Sequence, residues 1–145
     1  MDVTVIFNQR ALNLTKLENM LRTESPDVLT LDYLSTRTDN LEAKELWRIL
    51  VSSRRQHYEW LKTFFINVSG RLPAVDQNTF VRPSSYESGL NEQINEYQER
   101  LRALNQLLNE ASNQYESEYL RVVIYYFEQE GILLTQLSQM RSERG

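Results

Sequence analysis

Three residues interrupt otherwise apolar helical stripes in this 145-residue chain: Glu24, His57 and Glu130. His57 is the only histidine. It stands in RRQHYEWLKTFF (54–65), where Leu46, Ile49, Leu50, Trp60, Leu61, Phe64 and Val68 recur at the three-and-four spacing of one helical face. A second stripe, Tyr119, Val123, Tyr126, Leu133, Leu137 and Met140, has its empty inward slot at Glu130. A third, Leu14, Leu17 and Leu21, extends to Glu24 and on to Val28 and Leu31. An imidazole and two carboxylates brought together from three helices are ligand chemistry for iron, manganese or zinc. The same groups can instead satisfy one another, because an unpaired buried polar group costs about 1–3 kcal/mol. The expectation is the second arrangement: His57 buried against a carboxylate, Glu130 first and Glu24 otherwise. Arg54 then either joins the cluster as a fixed cation or reaches solvent beside Arg55.

Other catalytic templates are missing. No Gly-rich phosphate loop, Gly-x-Ser-x-Gly elbow or His-Glu-x-x-His is present. With no cysteine there is no thiolate site or disulfide, in keeping with a cytoplasmic setting. The net charge of −4 offers no field for nucleic acid, and the basic pair Arg54-Arg55 is flanked by glutamates at helical spacing. The start MDVTVIFNQR lacks a basic leader, and no run approaches the roughly 20 apolar residues of a membrane span. The Asn-x-Ser/Thr triplets at Asn13 and Asn67 are read as chance.

The elements that would position the cluster are helical. Four glycines, three prolines and 41% hydrophobic residues suit one domain, 1–145, of long regular elements. Residues 1–7, with Val3, Val5 and Phe7 alternating, form an extended arm. A helix spans about Asn8 to Thr23, and Ser25-Pro26-Asp27 starts a new segment reaching about Ser35. Asp39 or Asn40 caps a second major helix that runs to about Val68 and stops at Gly70. Residues 71–88 are the long connection, pinned by Phe80 and Val81. A regular stripe then runs from Leu90 through Leu104 to Tyr115. A break at Ser112-Asn113-Gln114 makes a hairpin of the third and fourth helices; the alternative is one long rod. The fold class is an all-α four-helix bundle with its long connection between helices 2 and 3.

RRQHYEWLKTFF followed by Gly70-Arg71-Leu72-Pro73 resembles the second helix of ferritin-like and rubrerythrin-like carboxylate bundles, and YYFEQEGILLTQL (125–137) looks like their fourth. The resemblance spans about Leu12 to Met140 as a pattern of helix lengths and stripes. It implies a ferritin-like bundle with Glu-x-x-His in both of those helices and one glutamate on each of the others. This chain keeps His57 but has Arg54 three residues before it, and Glu128 has Gly131 three residues on. Glu24 matches the first-helix carboxylate, and Glu96 lies beside Tyr97 and Leu101 on the third. So depleted a ligand set favours a non-catalytic interaction or assembly protein without a cofactor. The competing reading is a metal-binding ferritin-like protein or oxidoreductase holding iron, manganese or zinc. A third is a small-molecule binder using Trp47, Trp60 and Phe64. The expected partner is a second copy of the chain, in a dimer or higher homo-oligomer, through the Leu90–Tyr115 stripe with Tyr125 and Phe127.

Overall fold

The structure, a computed structural model, describes residues 12–74 and 80–144. The proposed arm at 1–7 and the middle of the long connection lie outside the described residues. Five helices are present and no strand is found among the described residues: α1 (Leu14–Arg22), α2 (Glu24–Ser35), α3 (Leu41–Ser69), α4 (Tyr86–Asn109) and α5 (Gln114–Arg144). None of them is long and apolar enough to cross a membrane.

Local chemistry sets the ends. Asn13, Asn40 and Ser85 each accept a hydrogen bond from the backbone N–H three residues on, which satisfies one of the free donors of a helix start. Gly70, at φ 76°, closes α3 in the left-handed conformation that glycine adopts without a Cβ penalty. The α1–α2 junction falls at Thr23, earlier than Ser25-Pro26 suggested. Thr23 donates through Oγ1 to Met20 O at 2.8 Å, and its carbonyl accepts from Asp27 N at 3.0 Å. Pro26 thus lies inside the first turn of α2, where its missing N–H leaves no bond unmade.

The hairpin between α4 and α5 forms without glycine or proline. Asn113 accepts from Glu116 N at 2.9 Å, while the Glu116 carboxylate accepts from Ser112 N at 2.8 Å and Ser112 Oγ at 2.9 Å. This reciprocal capping starts α5 and excludes the single-rod alternative.

Helix direction follows from two apolar clusters. One joins Leu17, Leu21, Phe64, Leu104, Leu120 and Phe127; the other joins Leu31, Leu34, Trp47, Leu50, Leu90 and Leu134. α2 and α5 therefore run from the first cluster to the second, and α3 and α4 run the opposite way. Because α3 and α4 are parallel, the chain between them must travel the length of the molecule, which is why a long connection is needed. α2 packs on α3, α3 on α5, α5 on α4, and α4 back on α2.

The connection is anchored where it leaves α3. Arg71 donates two bonds to the Glu18 carboxylate of α1, at 2.9 and 3.0 Å, and Ala74 N adds a third at 2.6 Å. The hydrogen bond from Arg71 holds the Glu18 carboxyl down at about 2, below its ordinary 4.5. A carboxyl depressed on folding stabilises the fold above its unfolded value and loses that effect as pH falls through the folded value. Glu18→Gln should therefore lower stability at neutral pH and flatten its decline between pH 4.5 and about 2. Urea unfolding across that range measures both effects, and an unchanged slope would contradict the assignment.

Candidate functional site

Between the two apolar clusters lies a charged layer to which four helices contribute. α3 supplies Arg54 and His57, separated by three positions and so on one face of the helix. α5 supplies Glu130, which is fully buried, and α2 supplies Asp27. Arg54 Nε donates to Glu130 Oε1 at 2.6 Å, and its NH1 donates to Asp27 Oδ2, also at 2.6 Å. His57 Nδ1–H donates to the other Glu130 oxygen, Oε2, which also accepts from Ser53 Oγ at 3.2 Å. Arg100 of α4 reaches the same Asp27 oxygen at 2.9 Å, and the Tyr58 hydroxyl donates to it at 2.8 Å. Two permanent cations thus face two carboxylates, with the imidazole on one side.

The electrostatics favour keeping the charges on Asp27 and Arg54. Burial pushes the Asp27 carboxyl up, but Arg54 and Arg100 outweigh it and hold the group below its ordinary value. Burial opposes the Arg54 charge, and Asp27 and Glu130 overcome that, so the guanidinium is driven above its ordinary range. Burial and the neighbouring Asp27 push the Tyr58 hydroxyl up, keeping it a neutral donor. Each ion is worth keeping only while its partners remain, because a buried charge without one costs several kcal/mol.

The structure brings together two of the three anticipated residues. His57 is buried and its partner is Glu130. Glu24 is not in the layer: it is partly exposed at the first turn of α2, with Lys62 Nζ 3.7 Å from its carboxylate. Asp27, one turn further along, takes the inward place. Arg54 points into the cluster and not to solvent. Glu96, the candidate on the third helix, is also outside; it stands 3.9 Å from Arg100, and burial pushes its carboxyl up.

Asp27 and Arg100 were missed for identifiable reasons. Asp27 reads as a helix-dipole charge, yet it lies four before Leu31 and seven before Leu34, on the stripe that those leucines define. Arg100 reads as a surface partner of Glu96, and nothing local marks it otherwise. The α5 stripe keeps Val123, Glu130 and Leu137 inward as the spacing predicts, with Tyr119, Leu133 and Met140 partly buried against the core; Leu120, Ile124, Phe127 and Leu134 widen the buried face, and Tyr126 is 47% exposed. Gly131 gains a role there. A Cβ on it would stand 2.4 Å from the Tyr97 hydroxyl, so glycine lets Tyr97 lie across α5 and stack on Phe127, with centroids 5.0 Å apart.

A metal does not fit this donor set. Both Glu130 oxygens and the bonded Asp27 oxygen are engaged by donors, and a guanidinium stands between the carboxylates. The void beside Arg54 and His57 is only about 10 Å³, on the order of one water. Among the described residues no cluster of three or more His, Cys, Asp or Glu side chains could hold a metal ion. Nor do the tryptophans frame one pocket: Trp47 is buried in the second apolar cluster, whereas Phe64 belongs to the first and Trp60 packs against it. Comparison with family models, curated proteins and solved structures finds no match.

The layer predicts coupled substitutions. Glu130→Leu should destabilise by about 3–5 kcal/mol, because it strands Arg54 and His57 together. Glu130→Leu combined with Arg54→Met should cost clearly less than the sum of the single changes. Chemical denaturation of the four proteins in that cycle measures this, and strict additivity would show that the layer does not act as a unit.

Proposed function

We propose that this chain is a non-catalytic helical-bundle protein of ferritin-like type whose role is assembly or interaction. In it the Arg54 guanidinium holds the central place that related bundles give to metal. α1 and α2 together count as the first helix of such a bundle. The parallel α3 and α4, with one long connection between them, support the topology. The observation that carries the reading is the engagement of both Glu130 oxygens, one by Arg54 and the other by His57. A carboxylate committed in this way, beside a fixed cation, offers neither an open coordination position nor a free base. The absence of cysteine accords with a cytoplasmic setting.

Elemental analysis of protein purified without chelators tests this. The expected result is no stoichiometric iron, manganese or zinc. Near one metal per chain, lost in His57→Ala, would overturn the reading in favour of a metal-handling protein.

A further inference from the structure

The outward face of α5 carries a second pattern, which meets the buried side at Tyr115, whose ring stacks on Phe64 and whose hydroxyl accepts from Asn67. Tyr115, Glu118, Val122, Tyr125, Gln129, Ile132 and Gln136 follow one another at alternating steps of three and four, and all are exposed. Four are large and apolar: Tyr115 is 46% exposed, Val122 54%, Tyr125 60% and Ile132 54%. Steps of three and four are the a and d positions of a heptad, sustained here for about 32 Å at 1.5 Å per residue. A surface helix that already buries one stripe has no need of another. Arg121 and Glu128, both exposed, each lie one residue before an a position, which makes both g positions. Neither forms an ion pair with any described residue.

We propose that this seam docks against the same seam of a second copy, antiparallel, in a two-fold symmetric dimer. The register follows from matching a to d across the pair. Val122 meets Tyr125 of the partner subunit, and Tyr115 meets the partner's Ile132. Glu118 meets the partner's Gln129, and each of these layers occurs twice by symmetry. All four large apolar residues are then covered.

Antiparallel helices bring g against g, so Arg121 faces the partner's Glu128 at both ends of the contact. Charge excludes the competing registers. Sliding one heptad in one direction sets Arg121 against the partner's Arg121; sliding in the other sets Glu128 against the partner's Glu128. Parallel in-register pairing would bury two copies of Glu118 against each other in one layer. Only the register that matches the apolar residues also pairs opposite charges.

This inference deepens the assembly half of the proposed function and rests on that half, not on the metal-free layer. Sedimentation velocity on the full chain at tens of micromolar should give twice the 17.2 kDa chain mass. Arg121→Glu sets carboxylates against each other and should weaken the dimer at least tenfold, as should Tyr125→Lys. The double variant Arg121→Glu/Glu128→Arg restores opposite charges and should recover the wild-type dissociation constant. All the altered positions are exposed, so circular dichroism should be unchanged in every variant. A monomeric wild type would overturn the proposal, as would a dimer indifferent to Arg121→Glu or one that the double variant fails to restore. A monomer would leave the metal-free layer standing, whereas stoichiometric metal would overturn that reading and leave the seam untouched.

Discussion

The Arg54 guanidinium, held between a carboxylate on α2 and another on α5, is the constraint on which the remaining arrangement depends. Apolar packing is non-directional and tolerates a shift of one helix against another, provided that volume is kept. A buried cation does not tolerate it. Rotating α5 by one residue swings its side chains by about 100° and carries Glu130 out of reach of Arg54 and His57 together. Moving α2 by one residue does the same to Asp27. The layer contributes little net stability, since desolvation offsets most of the attraction, but misalignment leaves charges unpaired and is penalised heavily. Its effect is to select one mutual placement of α2, α3 and α5.

Arginine suits this place and lysine would not. Two carboxylates approach Arg54 from different helices, and the planar fork presents Nε to one and NH1 to the other without distortion. A third donor, NH2, has no hydrogen-bond partner among the described residues. The guanidinium carbon lies 5.9 Å from the centre of the Phe127 ring, whose π face partly compensates the buried charge. The same ring makes a T-shaped contact with His57 and stacks on Tyr97. Phe127 thus forms a wall of the layer, and Gly131, one turn on, leaves the space in which Tyr97 completes it.

Most of the framework was legible in the sequence because its causes are local. Asn40 and Gly70 bound α3 by capping and by left-handed backbone, and both act within one turn. His57 and Glu130 were legible as polar gaps in apolar stripes. The full width of the α5 stripe was not, because Tyr119 and Tyr126 count as apolar in a periodicity while their amphipathic side chains sit at the rim of the core and Leu120, Ile124, Phe127 and Leu134 fill it. Asp27 escaped for a related reason: its place in the first turn of α2 has a sufficient local explanation in the helix dipole. Arg100 has no local signature at all. Its role exists only once α4 is set against α2, and no spacing within α4 encodes that.

The inner layer and the outer seam of α5 follow from one feature of its sequence. A helix with a single apolar stripe leaves its opposite face to charged residues. α5 instead distributes tyrosines round much of its circumference, at 115, 119, 125 and 126, and apart from the capping Glu116 in its first turn its buried charge is Glu130. Glu130 sits where a leucine would otherwise join the two apolar clusters, so the middle of the core gives up apolar burial to the ion layer. Apolar area that the interior forgoes at that level stands on the surface of the same helix, at Val122, Tyr125 and Ile132. Burying such a surface against a like surface would recover hydrophobic stabilisation that the charged layer withholds, and would couple the placement of Glu130 to the partner across the seam.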